Sequence, residues 1–273
     1  MSIIEALLYG IIQGAAEFLP ISSSGHLALA QSIFGAKNIE TDYFMFNVLL
    51  HLATLVAVAI VYYRDLWNVI KAFFSLVGKL FSGRLKKEPL TASEKLTFNL
   101  ILATVPLAVG ALISDKVEAL SGMPKVIGAL LILNGCMLWL TDRIKASGAV
   151  ELRPLQALAV GLIQLVGVLP GMSRSGSTIT GGRLFGLDRQ EAVRFSFLLS
   201  VPAILGANIL SLRDIAENPV ETELLLPFAV GAAAAILVGI AAIKLLQLVA
   251  NRNKFGIFAV YCAAVGAAAL IFA

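Results

Sequence analysis

Charged residues are scarce in this sequence. They make up 14% of its 273 residues, whereas hydrophobic residues make up 59% and the mean hydropathy is +0.89. A soluble domain carries about 25% charged residues, so this composition excludes an ordinary soluble protein and indicates a membrane protein. The basic residues lie beside apolar segments and form no compact basic domain, which argues against nucleic-acid binding.

Cysteine is also rare. The chain has two, Cys136 and Cys262, and both stand alone within apolar segments. This spacing excludes a disulfide framework and a cysteine-based metal site. We interpret both thiols as small packing residues.

Long apolar segments are abundant. Six of them reach about 17–25 residues, the length that crosses a bilayer as a helix. The six predicted spans are Phe44–Tyr63, Leu96–Ser114, Lys125–Thr141, Val193–Leu212, Leu224–Leu248 and Phe255–Phe272.

Two further apolar stretches, Ile3–Phe34 and Leu155–Phe185, are each interrupted by proline and serine. They match each other in order: GIIQ (Gly10–Gln13) pairs with GLIQ (Gly161–Gln164) at an offset of 151 positions. We interpret this as an internal duplication, with repeat 1 over about 1–145 and repeat 2 over about 150–273. Each repeat then contains one interrupted segment followed by three spans.

Three spans are an odd number, so the second repeat should lie in the membrane inverted relative to the first. The positive-inside rule places the basic loops Arg64–Lys95, Asp142–Arg153 and Asn251–Lys254 in the cytoplasm. The acidic loops Ala36–Asp42 and Arg213–Glu223 suit the outside. The predicted fold is therefore an all-α polytopic membrane protein with six transmembrane helices, two re-entrant helix-loop-helix segments and an inverted-topology repeat, both termini being external.

The second interruption, PGMSRSGSTI, carries a costly group. Pro170 and Gly171 end the incoming helix, and a new helix is expected to begin near Gly176. The free N–H groups of its first turn, together with Arg174, suit an anion such as phosphate. Further hydroxyl donors come from Ser173, Ser175, Ser177 and Thr178. The alternative is that the serines cap the helix and Arg174 extends to the cytoplasmic interface.

The first interruption carries Ser22-Ser23-Ser24-Gly25-His26 and is expected to open a helix over His26–Phe34. If the repeats face each other, two helix N-termini converge on one polar cavity. Ser23 and His26 are then candidates for nucleophile and general base, and the residues alone leave open which of the two attacks. The alternative for His26 is an ordinary histidine at a helix start.

Gln13 and Glu17 lie four residues apart, hence on one helix face. A carboxylate in an apolar segment is expensive unless it pairs or binds something. Glu17 is therefore predicted to bind Mg²⁺ or Ca²⁺ or to transfer a proton near Arg174, and the alternative is a structural Glu17–Arg174 ion pair. His51, at the position that matches Ser200, is interpreted as a structural polar contact.

The two interruptions, QGAAEFLPISSSGH (Gln13–His26) and PGMSRSGSTI (Pro170–Ile179), strongly resemble the signatures of the undecaprenyl-diphosphate phosphatase family, also called bacitracin-resistance proteins. The similarity covers nearly the whole chain. It implies a bacterial inner-membrane hydrolase that removes the terminal phosphate of undecaprenyl diphosphate and so recycles the lipid carrier for cell-wall synthesis. It also implies a divalent cation requirement and a site that opens to the periplasmic or external side.

The resemblance implies roles for single residues. Glu17 and Gln13 match the family's (E/Q)xxxE motif and would hold the metal, Gln13 more weakly through a neutral oxygen. Ser23 and His26 match the serine and histidine of the PxSSxGH motif and, together with Glu17, would be the catalytic residues. The PGxSRSGxT phosphate site is matched by Arg174, Ser173, Ser175 and Thr178.

A transporter or flippase for a polyprenyl phosphate or another anion is the main rival, because inverted repeats and helix breaks at the bilayer midplane are typical of transporters. Such a protein needs no Ser23–His26 pair. A scaffold protein would leave the intramembrane Arg174 and Glu17 unexplained. Membrane lipids are expected as partners, and the sequence leaves a homodimer open.

Overall fold

The structure is a computed structural model that describes residues 1–34, 43–85, 87–112, 114–145, 147–211, 221–252 and 254–272. This part of the chain is helical, and its only β-type pairing is an isolated bridge between Ala149 and Leu187. The α-helices are α1 (Ile3–Phe18), α2 (Ser23–Phe34), α3 (Phe44–Val61), α4 (Tyr63–Phe81), α5 (Ala92–Thr104), α6 (Leu107–Ala111), α7 (Ser114–Ser121), α8 (Pro124–Thr141), α9 (Pro154–Gln164), α10 (Arg174–Leu184), α11 (Arg189–Leu210), α12 (Leu225–Asn251) and α13 (Gly256–Phe272). Short 3₁₀ turns cover Leu165–Val168 and Thr222–Leu224.

Within the described ranges, five helical segments are long and apolar enough to cross a membrane, which confirms a multi-pass membrane protein. They are Phe44–Val61, Ala92–Gly110, Pro124–Thr141, Arg189–Ile209 and Thr222–Asn251. The predicted sixth span corresponds to α13, a shorter apolar helix of 17 residues. The second predicted span, Leu96–Ser114, corresponds to Ala92–Gly110. It begins four residues earlier than predicted because Thr91 and Glu94 form a capping box that starts α5 at Ala92.

Capping side chains fix several other helix starts. The Ser2 side chain accepts from Glu5 N–H at the start of α1, and Asp188 accepts from Glu191 N–H at the start of α11. Each cap satisfies a backbone donor that has no partner within its own helix.

Small residues let helices from distant parts of the chain pack closely. Helix α1 packs against α12, and α8 packs against α13. A Cβ at Gly10 would lie 2.2 Å from the carbonyl oxygen of Gly231, so this crossing requires glycine. Close backbone approach through small residues is typical of helix association in membranes.

The three basic loops meet at one end of the bundle, which we call the basic end. Arg194 of α11 binds Asp65 of α4 at 2.6 Å, and Gly256 N–H donates to the Asp142 carboxylate at 2.7 Å. Lys95 pairs with the Glu151 carboxylate at 3.0 Å. The loop Ala36–Asp42 and most of Arg213–Glu223, predicted to lie outside, fall beyond the described residues.

Both interruptions of the apolar stretches are present, but both following helices begin earlier than the sequence predicted. Helix α2 begins at Ser23 rather than His26, because Ser22 caps it by accepting from Gly25 N–H at 3.3 Å. Helix α10 begins at Arg174 rather than near Gly176, because the Ser173 hydroxyl accepts from Gly176 N–H at 3.1 Å. In both cases the serine that precedes the helix acts as its N-cap.

Candidate active site

The two interruptions are in direct contact. The Ser22 hydroxyl accepts a hydrogen bond from Gly171 N–H at 3.0 Å, and a Cβ at Gly25 would lie 2.8 Å from that same nitrogen. Ser22 itself has a φ of +75°, a left-handed backbone conformation that residues other than glycine rarely adopt. The N-termini of α2 and α10 therefore converge, as the sequence predicted.

Glu17 is the centre of the polar contacts between them. Its Oε1 accepts from Arg174 Nη2 at 2.6 Å, and its Oε2 accepts from the Ser23 hydroxyl at 2.7 Å. Gln13 Nε2 also donates to Oε2, at 3.3 Å. The structure thus brings together Gln13, Glu17, Ser23 and Arg174. The alternative interpretation, in which Arg174 extends to the cytoplasmic interface, is wrong, because its guanidinium binds Glu17 instead.

This cluster is largely removed from solvent. Gln13 is fully buried, Glu17 is 8% exposed, and the Arg174 side chain is 17% exposed. Gln13 Oε1 is buried and has no hydrogen-bond partner. An orphaned buried acceptor costs about 1–3 kcal/mol, so this amide oxygen is poised for a ligand.

His26 is held at both ring nitrogens. Nδ1 lies 2.8 Å from the Ser22 carbonyl oxygen, and Nε2 lies 2.9 Å from the Tyr261 hydroxyl. A carbonyl only accepts, so Nδ1 carries the proton and the neutral ring has its lone pair at Nε2. The Tyr261 ring also stacks on the imidazole, with ring centroids 5.5 Å apart. In the described part of the chain Ser23 and His26 have separate partners and are not hydrogen-bonded to each other.

The hydroxyls after Pro170 serve different purposes. Ser173 caps α10 and lies 3.0 Å, oxygen to oxygen, from Ser175. Thr178 donates back to the Arg174 carbonyl at 3.0 Å and is 2.6 Å from the Ser196 hydroxyl on α11. The capping interpretation therefore applies to Ser173, and Thr178 points toward α11.

His51 bonds mainly within its own helix. Its Nδ1 lies 2.9 Å from the Asn47 carbonyl oxygen, one turn earlier on α3. It also lies close enough to Glu17 to interact with its charge. This placement agrees with a structural polar contact at the edge of the site.

Sequence reasoning missed two residues of the site. Asn134, fully buried in α8, donates to the Pro20 carbonyl at 2.8 Å and accepts from Ser173 N–H at 3.2 Å, so one amide joins both interruptions. The sequence feature that could have revealed Asn134 is a polar amide in the middle of an apolar span. Tyr261, the partner of His26, gave no comparable signal, because tyrosine is common in membrane helices.

Taken together, these groups are of the kinds that can take part in the transfer of a phosphoryl group. Arg174 and two helix N-termini supply positive potential, and Ser23 supplies a hydroxyl whose proton already points at a carboxylate. The unprotonated Nε2 of His26 lies one turn further along α2.

Comparison with known proteins agrees with this chemistry. The family model described as bacitracin resistance protein BacA matches residues 6–268. The chain belongs to that family. It is 38% identical over 271 residues to the undecaprenyl-diphosphatase of Korarchaeum cryptofilum, with 99% of each chain covered. It is 39% identical over 272 residues to the undecaprenyl-diphosphatase of Methanobrevibacter smithii, with 97% of this chain and 96% of the relative covered. The resemblance drawn from the two motifs is thereby confirmed.

Proposed function

We propose that this protein is an undecaprenyl-diphosphatase, which hydrolyses the terminal phosphate of undecaprenyl diphosphate to give undecaprenyl phosphate and inorganic phosphate. The family and its similarly named relatives support this function, as does the place of the protein in a membrane. Recycling of the lipid carrier for cell-wall synthesis, and resistance to bacitracin, follow from that reaction. The observation that carries the proposal is the shared carboxylate of Glu17, which binds Arg174 and Ser23 at once.

Ser23 is placed to attack the terminal phosphorus. As its Oγ bonds to phosphorus, Glu17 accepts the hydroxyl proton across the 2.7 Å hydrogen bond. The bond from that phosphorus to the bridging oxygen breaks, and this oxygen leaves with the electron pair as undecaprenyl phosphate. Arg174 has several N–H donors, so it can hold Glu17 and stabilise the charged phosphoryl oxygens together.

Water completes the reaction by attacking the phosphoserine. The bond between phosphorus and Oγ breaks, inorganic phosphate is released, and Ser23 regains its proton from Glu17. His26 accepts the proton of the attacking water at Nε2, which exchanges the hydrogen bond from the Tyr261 hydroxyl for one from the water and afterwards releases the proton to solvent. If His26 were instead the nucleophile, the trapped intermediate would be a phosphohistidine.

The residues fit a divalent cation, which we propose as the cofactor. Among the described residues no group of three or more His, Cys, Asp or Glu side chains could hold a metal. Mg²⁺ commonly binds one or two carboxylates and takes its other ligands from water and substrate phosphates. Glu17 and the unpartnered Oε1 of Gln13 would hold it, and it would neutralise charge on the diphosphate.

The arrangement in the membrane supports a specific topology. The start of α9 and the end of α10 both lie at the basic end, where Ala149 N–H donates to the Gly186 carbonyl at 2.9 Å. The Met1 amine binds the Tyr43 hydroxyl at 2.7 Å, so the start of α1 lies beside the start of α3. We therefore propose two re-entrant segments, six spans and an inverted repeat, in the bacterial inner membrane. The basic end would be cytoplasmic, with both termini and the active site facing outward.

Phosphate release tests the function. Purified protein in detergent is given undecaprenyl diphosphate with Mg²⁺ or Ca²⁺, and then excess EDTA. We expect release of inorganic phosphate that EDTA abolishes. Release that persists in EDTA would contradict the metal proposal. No release from folded protein that binds the lipid would contradict the enzyme proposal and favour the transporter, which a lipid-translocation assay would then examine.

Trapping the intermediate tests the nucleophile. Rapid quenching with substrate labelled in its terminal phosphate should leave label on Ser23 that survives acid, because a phosphoserine is stable there and a phosphohistidine is not. Acid-labile label on His26 would show that His26, and not Ser23, is the nucleophile. Homodimerisation remains a prediction, and the mass of the protein–detergent complex by light scattering tests it.

A further inference from the structure

Helix α4 has an apolar face that no other described element covers. The exposed side chains Tyr63, Trp67, Ile70, Phe74 and Phe81 recur at intervals of three, four or seven residues, which places them on one stripe of the helix. Trp67 is 58% exposed, Phe74 68% and Phe81 86%. The opposite face is the one that packs, since Ala72 and Leu76 are buried and α4 contacts α5.

A third face of α4 is polar and exposed. It carries Arg64, Asn68, Lys71 and Ser75, about a quarter turn from the apolar stripe. A helix with one face on the protein, one apolar outer face and one polar outer face suits the membrane surface, with its axis in the plane of the bilayer. Because α4 has two charged residues in its first turn and two lysines further along, it does not qualify as a span.

Basic side chains lie over aromatic rings on α4 and at the end of α8. Lys71 Nζ lies 5.2 Å from the centre of the Trp67 ring, and the Arg64 guanidinium lies 5.4 Å from that of Tyr63. A third pair, Arg143 and Trp139, lies where α8 leads into the basic loop Asp142–Arg153, with the guanidinium carbon 3.2 Å from the centre of the indole ring. Tryptophan and tyrosine favour the level of lipid headgroups, and a cation held there faces the headgroup phosphates.

From these observations we propose that α4, with the Arg143–Trp139 pair, is a binding surface for anionic phospholipids of the leaflet at the basic end. The aromatic stripe lies among the upper acyl chains, while Lys71, Arg64 and Arg143 bind headgroup phosphates. The occupant is a lipid rather than a protein partner, because basic side chains that complement anionic headgroups border the apolar stripe beside membrane-crossing helices. This surface is separate from the proposed active site and does not depend on the proposed reaction.

The chain offers a direct probe, because it has two tryptophans, Trp67 on α4 and Trp139 near the end of α8. The variant Trp139→Phe leaves Trp67 as the sole tryptophan. We would reconstitute it in vesicles of brominated phosphatidylglycerol mixed with phosphatidylcholine, and in the reverse mixture with bromine on phosphatidylcholine. Quenching of Trp67 fluorescence across both series gives the binding constant of the anionic lipid relative to the zwitterionic one.

We expect the anionic lipid to be preferred, and Lys71→Gln in the same background to lower that preference about fivefold, the effect of one cation near an anionic surface. Lys95→Gln is the matched control: Lys95 lies at the basic end and pairs with Glu151 rather than with an aromatic ring, so the preference should stay. Equal quenching by both lipids, or no quenching by either, would overturn the proposal. So would a preference that Lys71→Gln leaves unchanged in protein that still unfolds at the parental temperature.

Discussion

Arg174 and Glu17 form a 2.6 Å ion pair although 157 positions separate them in the chain. The pair joins the start of α10 to the end of α1, so each charge in the apolar interior is offset by the other. Replacing Arg174 by alanine removes the donor that stabilises the transferring phosphoryl group, and such donors contribute about 10²–10³ in kcat. We expect phosphate release by Arg174→Ala to fall by at least that factor, while Arg252→Ala, at an exposed helix end, keeps parental activity.

A double variant separates catalysis from structure. Removing one partner of a buried ion pair costs about 3–5 kcal/mol of stability, because the other charge is left unpaired. Arg174→Gln with Glu17→Gln replaces both charges by amides that can bond each other. Thermal unfolding in detergent should show the double variant more stable than Arg174→Gln alone, whereas phosphate release should stay lost. Recovery of activity together with stability would mean that the pair is only structural.

Gln13 offers a test of the metal site. Gln13→Glu adds a carboxylate beside Glu17, and an added charge about 4 Å from a cation contributes on the order of 1–4 kcal/mol in protein surroundings. We expect the Mg²⁺ concentration for half-maximal phosphate release to fall at least about fivefold by the same estimate. Gln190→Glu, an exposed change at the basic end, is the matched control and should not shift it. If the Mg²⁺ concentration for half-maximal release is unchanged in Gln13→Glu, Gln13 is not a metal ligand.

Tyr261 is predicted to position His26. Tyr261→Phe keeps the stacked ring but removes the hydroxyl that bonds Nε2. One hydrogen bond of about 0.5–1.5 kcal/mol corresponds to roughly 2- to 13-fold. We expect kcat to fall within that range and KM to stay constant, because the hydroxyl orients the base rather than binding the diphosphate. Tyr62→Phe is the control, since its hydroxyl bonds Gln247 on α12 instead. A change in KM alone would place Tyr261 in substrate binding.

Asn134 is expected to hold the two interruptions together. Asn134→Leu keeps the side-chain size but leaves the Pro20 carbonyl and the Ser173 N–H without this partner, at about 1–3 kcal/mol for each buried group. The midpoint of thermal unfolding should drop, and phosphate release should drop with it. Asn208→Leu provides the comparison, because in the part of the chain that the structure describes this amide bonds the Ile204 carbonyl of its own helix, and its loss should matter less. Equal losses in the two variants would contradict the role of Asn134.

The residues that the sequence revealed are those whose cost in an apolar segment is high. Arg174 and Glu17 stand out in any membrane span, and the prolines mark where each helix ends. Tyr261 and Asn134 act through contacts made by helices far along the chain, and their side chains alone do not say what they will face. Helix α4 was missed inside Arg64–Lys95, because the basic residues of this segment marked it as a cytoplasmic loop, whereas its apolar stripe becomes apparent only on a helix.

The counter-ion of Glu17 is Arg174, so α1 and α2 are synthesised well before the residue that offsets the charge of this carboxylate. The helix that packs against α1 is synthesised later still, because Gly10 contacts Gly231 on α12. The contacts that hold α1 in the folded protein are therefore complete only after most of the chain has been synthesised. A chain that ends before Arg174 lacks the counter-ion of Glu17, so the polar cluster that joins the two interruptions can form only late in synthesis.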